Sequence, residues 1–309
     1  MTDQKSYRER SEKQMKQRRI HIILFGIAAV LCIIIVILSI QLWKVSKNKN
    51  EQQEVNTSSD NIIEPTPEPD TAKEPEKEDK EDKDDKEDKA EKENKVERIR
   101  KDLDPDKPMI ALTFDDGPYD KVTNRILKVL KDNNGRATFF VIGNRLSTYH
   151  DVMEKAYEQG NQIGNHTYTH DKRTLNGLKP KKARSEVAKV NKLVKKYIGK
   201  KPGALRPTYG AANSSVCKMV KKMGMVLICW DVDSEDWKSR DKKKILKRMK
   251  SLQDGDIVLM HDLYDSTAEA VEELVPKLTK KGYQLVTIDE LFYYKEMKQK
   301  PGQIYYMVR

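Results

Sequence analysis

Between Met109 and Thr287, short apolar runs of strand length alternate with longer amphipathic stretches of helical period, a pattern that leaves few architectures open. The expected strands are Met109 to Phe114, Thr138 to Ile142, Gln162 to Asn165, Ala204 to Arg206, Val226 to Trp230, Asp256 to Met260 and Gln284 to Thr287. Helical patterns cover Val122 to Lys131, Pro180 to Tyr197, Asn213 to Met223, Lys242 to Leu252 and Thr267 to Lys281. Alternation of this kind belongs to α/β folds with a largely parallel sheet, and about seven such units in roughly 190 residues make one domain. Polar residues follow nearly every strand end. A barrel, in which those ends converge on one rim, explains this better than an open sheet covered on both faces. The expectation for residues 107–295 is a distorted (β/α) barrel of about seven strands.

The region before it is built differently. From Ile22 to Ile40 the chain is apolar apart from one Ser, and no charge interrupts it between Arg19 and Lys44, which is enough for a helix to span a bilayer. Lys5, Arg8, Arg10, Lys13, Lys16, Arg18 and Arg19 precede this stretch, against Lys44, Lys47 and Lys49 after it. The positive-inside rule then keeps a basic tail, 1–19, in the cytoplasm and makes 20–43 a single transmembrane helix in the cell membrane. Everything downstream is extracytoplasmic on this reading. A cleaved signal peptide fits less well, because the apolar run exceeds a usual h-region and no small-x-small site precedes Lys44.

Residues 44–106 read as a disordered charged linker. The stretch from Asn50 to Asp106 has almost no large apolar residue and carries 22 acidic against 11 basic residues, a net −11 within a chain whose total is +11. Lys107 to Lys295 reverses this, with 36 basic and 23 acidic residues, a net +13. A basic domain outside a membrane suits an anionic cell-wall polymer, while nucleic acid belongs to the wrong compartment. A generally lysine-rich surface accounts for most of the same charges. Cys32 falls in the span, so Cys217 and Cys229 are the exported thiols, too few for a disulfide framework; one bridge and two buried thiols both stay open. The C-terminal tail, 296–309, offers no pattern to argue from, and oligomeric state is not legible.

The chemistry-bearing residues stand at the strand exits: Asp115 and Asp116, His166 and His170, Arg206 and Tyr209, Asp233, Asp236 and Trp237, and His261 with Asp262. In "NHTYTH" two His lie four apart, which on a helical turn sets both imidazoles on one side, able to grip a metal with a carboxylate from elsewhere. "DDGP" reads equally as a turn or as two carboxylates with separate roles, one a metal ligand and one a proton acceptor.

Taken in order, "TFDDGP", "HTYTH", "RPTYG", "DSEDW" and "IVLMHD" resemble the five motifs of the polysaccharide deacetylases of the NodB-homology type, carbohydrate esterase family 4. The resemblance covers Met109 to Leu291 and implies the same distorted barrel. It also implies that Asp115 is the general base, and that Asp116, His166 and His170 hold a divalent metal, usually zinc, with cobalt or manganese as alternatives. Arg206 then orients Asp115, the backbone N–H of Tyr209 helps bind the oxyanion, and His261 is the general acid, tuned by Asp236. Trp237 and Leu259 line the pocket for the acetyl methyl. "RPTYG" departs from the family in one place, with Thr208 where a second proline is common.

On that resemblance the expected reaction is metal-dependent N-deacetylation of N-acetylglucosamine in peptidoglycan, releasing acetate. N-acetylmuramic acid, exopolysaccharide, chitin oligomers and O-acetylated xylan are rival substrates, because the motif residues serve amide and ester alike. A non-catalytic wall-binding protein is a rival of another class. Its mark is a missing ligand, acid or base, and here the set is complete.

Overall fold

The computed structural model describes residues 98–309. The expected cytoplasmic tail, the membrane span and the linker up to residue 97 lie outside them. Among the described residues no helix is long and apolar enough to cross a membrane.

Nine strands form one sheet: β1 (Met109–Asp115), β2 (Thr138–Val141), β3 (Gln162–Asn165), β4 (Ala204–Leu205), β5 (Val226–Ile228), β6 (Val232–Asp233), β7 (Ile257–His261), β8 (Gln284–Leu285) and β9 (Ile304–Tyr305). Their order is β6-β7-β1-β2-β3-β4-β5-β9, with β8 against the start of β1, and every ladder is parallel. The helices are α1 (Asp120–Asp132), α2 (Leu146–Glu158), α3 (Pro180–Ile198), α4 (Ser214–Lys222), α5 (Asp236–Ser239), α6 (Lys242–Arg248), α7 (Asp265–Lys280) and α8 (Ile288–Tyr294). All seven expected strands are present within a few residues. The expectation of seven falls short because β6 and β9 are two residues each, too short for any period to show. Helices α2, α5 and α8 were likewise not foreseen.

The two faces of β1 show how the barrel is filled. All seven of its residues are buried. Ile110, Leu112 and Phe114 join an outer cluster with Val122, Ile126 and Leu127 of α1 and Val271 and Leu274 of α7. Met109 and Ala111 point the other way, into an inner cluster with Phe140, Ile228, Ile257 and the Ile288, Leu291 and Phe292 stripe of α8. Side chains alternate along a strand, so the inner face of β1 continues to Thr113 and then Asp115. The interior is therefore apolar at the N-terminal end, where α8 plugs it, and turns polar towards the strand exits.

The ring closes without a continuous ladder. β5 pairs with β4, β6 pairs with β7, and the three residues 229–231 carry the chain between them. The tail reinforces the gap: β9 adds to β5, and Met307 forms a bridge with Asp256 just before β7. Val308 is fully buried in the inner cluster, and Arg309 pairs with Asp231 and Asp256. Residues 296–309, which carried no readable pattern, thus complete the barrel wall.

The folded part also begins earlier than the expected boundary at residue 107. Ile99 and Leu103 are buried, and Arg100 donates to Glu290 Oε1 and Oε2 at 2.9 and 3.1 Å and to Leu285 O at 2.7 Å. The linker expected to reach residue 106 is corrected at its end for this reason. Its charged composition continues into a segment that nonetheless supplies a buried ion pair.

Candidate active site

Strand register brings the two ends of the sequence motif set together. In the β1–β7 ladder Asp115 stands opposite His261, and Thr113 opposite Leu259, all on the inner face. Arg206, immediately after β4, is fully buried and reaches across this face. Its Nη1 donates to Asp115 Oδ1 at 2.8 Å and to Thr113 Oγ1 at 2.6 Å, while Nε and Nη2 donate to Ile228 O and Cys229 O at 3.1 and 2.9 Å. The guanidinium lies 4.2 Å from the Phe140 ring centroid. A buried charge persists only when paired and hydrogen-bonded, and Arg206, with all three guanidinium nitrogens bonded, meets that condition while fixing one oxygen of Asp115. The other, Oδ2, lies 3.6 Å from His166 Nε2.

Asp116 turns away from the strand with φ 73°, and its carboxylate faces both imidazoles, sharing His166 with Asp115 and adding His170. Its Oδ1 lies 3.4 Å from His166 Nε2 and 3.5 Å from His170 Nε2. That oxygen is buried and accepts no hydrogen bond. His166 Nδ1 is bonded to the Arg206 carbonyl at 2.8 Å, which assigns its proton to Nδ1 and leaves the Nε2 lone pair facing Asp116. One ligand atom from each of the three residues falls within 4.8 Å of the other two. Atoms held about 2.0–2.1 Å from a tetrahedral Zn²⁺ lie roughly 3.3–3.5 Å apart, so the donor set fits a divalent metal. Burial first, then the neighbouring His166, lowers the His170 pKa, which keeps its imidazole neutral and able to ligate.

The His pair faces one side without the helical turn on which its four-residue spacing would also have done so. Residues 166–170 form a loop in which Thr167 and His170 adopt positive φ, 68° and 52°. The loop is braced rather than wound. Asn165 Oδ1 accepts from Thr167 N at 2.8 Å, Thr167 Oγ1 from His170 N at 3.2 Å, and the buried Glu186 of α3 accepts from both Thr169 N and Thr169 Oγ1 at 2.8 and 2.9 Å.

On the opposite side, His261 Nδ1 donates to Asp236 Oδ1 at 2.7 Å. Asp236, fully buried at the start of α5, also accepts from His261 N, Thr267 Oγ1 and Trp237 N at 2.7, 2.7 and 2.8 Å. Burial pulls the His261 pKa down, but the hydrogen bond and charge of Asp236, with Asp115 and Asp116 beyond it, raise it to about 9. Desolvation opposes ionisation of Asp236, and the His261 hydrogen bond outweighs it, lowering the carboxyl pKa. The pair is held as imidazolium and carboxylate.

Leu259 is buried two residues before His261 on the same face of β7. Trp237 and Tyr209 are among the large apolar side chains left exposed, at 48 % and 62 %. Tyr209 has φ 58° and packs edge-on against His170, with ring centroids 5.1 Å apart. Asp233 caps the turn into α5 by accepting from Glu235 N at 2.7 Å, which makes it a support for the site. Cys217 and Cys229 are both free thiols. Thr208 is buried, and its Oγ1 has no hydrogen-bond partner.

Several supporting residues escaped sequence reasoning. Asp262 was visible only as a strand exit. Its carboxyl is fully buried, accepts from Thr123 Oγ1 at 2.6 Å, and has its pKa raised to about 7 by desolvation. A Cβ on Gly117 would lie 2.1 Å from this carboxyl, so glycine is needed there for close approach. Asp262 and Gly117 thereby lock the "DDGP" turn to the exit of β7. Glu186 and Thr267 act from helices 17 and 31 residues along the chain from the groups they hold, Thr169 and Asp236, with no local pattern to mark them.

Comparison with known proteins agrees with this geometry. A family model described as polysaccharide deacetylase matches residues 102–228. The chain is 40% identical over 198 residues to the peptidoglycan-N-acetylmuramic acid deacetylase PdaC of Bacillus subtilis, covering 64% of this chain and 41% of PdaC. It therefore spans about two fifths of that relative's length. It is 33% identical over 213 residues to a peptidoglycan-N-acetylglucosamine deacetylase of Bacillus cereus, covering 64% of this chain and 99% of the relative. Among solved structures, PdaC superposes with a TM-score of 0.60 at 41% identity, covering 63% of this chain and 94% of the other. A family 4 acetyl xylan esterase from Clostridium thermocellum, in complex with a cobalt ion, gives 0.60 at 29% identity, covering 65% and 98%.

Proposed function

Because the chain belongs to the polysaccharide deacetylase family, carbohydrate esterase family 4, we propose that it hydrolyses the acetamido group of N-acetylglucosamine in peptidoglycan, releasing acetate and leaving the free amine. The observation that carries this reading is the unequal treatment of adjacent carboxylates: Arg206 fixes Asp115, whereas Asp116 Oδ1 faces two imidazoles with no hydrogen bond of its own.

Asp116, His166 and His170 would hold the divalent ion, zinc by family usage with cobalt or manganese as alternatives. When bound, such an ion polarises a carbonyl and lowers the pKa of a coordinated water. Asp115 accepts the proton of the attacking water through Oδ2, its other oxygen being held by Arg206. The backbone N–H of Tyr209 stabilises the oxyanion, a contribution of about 3–4 kcal/mol for one such donor. His261, protonated and oriented through Nδ1 by Asp236, delivers a proton to the departing nitrogen from Nε2. Leu259 and Trp237 flank the acetyl methyl. Water adds to the acetyl carbon, the C–N bond breaks, and the proton count closes on acetate and amine.

N-acetylmuramic acid is a second reading, supported by the 40% identity to PdaC. The apolar run at residues 22–40 supports an anchored, extracytoplasmic domain acting on the wall. Purified protein should release acetate from N-acetylglucosamine oligomers or from peptidoglycan, and lose this on chelation. Mass spectrometry assigning each lost acetyl group to glucosamine or muramic acid decides between the two sugars. Absence of acetate from both substrates with metal supplied would rule the reading out.

A further inference from the structure

Two rim positions beside His261 carry residues that their local backbone does not favour. Arg240, which ends α5, has φ 46°, a left-handed conformation in which glycine or asparagine is the usual choice. Tyr264 occupies the N-cap of α7, where short polar residues serve best, and its side chain makes no capping hydrogen bond. The two side chains meet each other instead. The Arg240 guanidinium carbon lies 3.8 Å from the centroid of the Tyr264 ring, and Arg240 Nε donates to Trp237 O at 3.3 Å. The Tyr264 ring is in turn 6.3 Å from the His261 ring, centroid to centroid. Burial raises the pKa of the Tyr264 hydroxyl, Arg240 opposes the rise, and Asp116 and Asp236 add to it, as expected of a ring beside both rim carboxylates. Arg240 is exposed and forms no ion pair among the described residues.

We infer that Arg240, held by Tyr264 and the Trp237 carbonyl, is a specificity-determining residue that binds a carboxylate of the muramoyl unit as peptidoglycan crosses the rim. The inference rests on the deacetylase reading of this site and adds to it a means of telling peptidoglycan from a neutral glycan. A guanidinium carries five N–H donors in a planar fork that matches a carboxylate. Here Nε is engaged by a neutral carbonyl and the cation lies over a ring, so the charge is positioned without being neutralised. Stacking also limits the freedom that the side chain would lose on binding. Left-handed backbone is costly for a residue with a Cβ, and ending a short helix does not call for an arginine, so the side chain itself has to account for the choice. The location suits the chemistry. His261 addresses the nitrogen on C2 of the reacting sugar, and Arg240 stands one aromatic ring away from it. In muramic acid the lactyl ether is on C3, the adjacent carbon, and its carboxyl is either free or extended by a peptide with carboxylates of its own. Chitin oligomers present no such group.

Binding is titrated by calorimetry on the full chain with Zn²⁺ supplied and Asp115→Asn as the background, which suppresses turnover. The ligands are a peptide-free tetrasaccharide of alternating N-acetylglucosamine and N-acetylmuramic acid, the same tetrasaccharide carrying L-alanyl-D-glutamate, and the carboxamide form of each. At least one charged form should bind about fivefold more tightly than its carboxamide, the scale of an exposed ion pair, and the gap should close as salt rises. A gap with the peptide-free ligand assigns the lactyl carboxylate, and a gap confined to the peptide-bearing ligand assigns the peptide. Arg240→Gly should bring the ratio to about one. Glycine suits the left-handed position, so the variant folds, and its thermal midpoint checks this. Lys238→Gln removes a neighbouring exposed charge that already faces Glu235, and it should keep the ratio. The inference is overturned by equal binding of every charged ligand and its carboxamide, by no binding of any of them, by a preference that survives Arg240→Gly, or by one lost equally in Lys238→Gln. Acetate release from chitin oligomers tests the deacetylase reading separately, so the two can fail independently.

Discussion

Two buried arginine–carboxylate pairs hold this barrel, one at each end, and they are finished differently. At the N-terminal end, Glu290 Oε1 accepts from Arg100 N, Arg100 Nε and Arg136 Nη1, and Oε2 accepts from Arg100 Nη2 and Thr287 N, which completes the capping box of α8. Both oxygens are used. At the rim, Arg206 takes one oxygen of Asp115 and leaves the other 3.6 Å from His166, beyond hydrogen-bonding reach, and the next carboxylate, Asp116, has a buried oxygen with no donor at all. Burial of an ionised group is costly, so a saturated pair is explained by the fold it holds, whereas an unsaturated one points to a ligand or reactant that completes it. The same side-chain chemistry serves structure at one end and reaction at the other, and the count of donors distinguishes them.

Breaking the rim pair should cost activity, and breaking the base pair should cost stability. Asp115→Asn keeps the shape and an acceptor for Arg206 but removes the base, so kcat for acetate release should fall by about 10²–10⁴. Its thermal midpoint should fall as well, because Asn neutralises the partner of the fully buried Arg206, but by less than Glu290→Ala, since the amide still offers Arg206 an acceptor. Glu290→Ala strands the buried charge of Arg100 and the half-buried one of Arg136, and denaturant titration should show a loss of about 3–5 kcal/mol. Activity of the fraction that remains folded should be little changed. If Asp115→Asn instead unfolded the domain, the contrast between the two ends would be wrong.

The imidazolium of His261 sharpens the comparison further, because it is a rim charge that depends on a saturated partner. With the pKa near 9, the acid form persists through neutral pH, and acetate release should decline above about pH 9. The folded value lies above the ordinary His value of about 6.5, so the associated stabilisation is complete below that pH and is lost as pH rises through 9. Replacing Asp236 with Asn removes the charge that outweighs burial. The alkaline limb of kcat/KM should then shift to lower pH, and a limb that stayed in place would dissociate Asp236 from the titration.

The two ends also differ in how far the sequence discloses them. Rim residues are legible because each stands at the exit of a short apolar run, where a polar group interrupts a buried strand. Asp115 and His261 follow from that alone, whereas the β1–β7 pairing that sets them side by side does not. The base is not legible. Arg100 and Glu290 are 190 residues apart, and Arg98 to Asp106 continues the charge repeat of the preceding segment so closely that composition cannot separate them. Conformation inside the motifs is hidden in another way. The spacing of His166 and His170 would suit a helical turn, but the positive φ of Thr167 and His170 makes a loop braced locally by Asn165 and, through a tertiary contact, by Glu186. Short pairings such as β6 and β9 exist only because β7 and β5 offer an edge.

Thr208 offers the mildest test, at a place where the rim has an unsatisfied group that belongs to no reaction. Its hydroxyl is buried without a partner, in the position where the family commonly has proline, a residue with no side-chain hydroxyl to satisfy. Asp116 Oδ1 shares the same formal defect, yet it faces two imidazoles, and Thr208 Oγ1 faces no donor. If the distinction is sound, removing the Thr hydroxyl should be beneficial, whereas removing the Asp carboxylate should abolish metal retention. Thr208→Val keeps the branched shape and deletes the unsatisfied oxygen, so it should stabilise the domain by about 1 kcal/mol. For a domain of this size that corresponds to a rise of roughly 2–4 °C in Tm. The backbone N–H of Tyr209 is untouched, so acetate release should be unaltered. A lower Tm would mean that the hydroxyl has a partner, such as a bound water, and that the rim is more fully satisfied than its protein groups alone indicate.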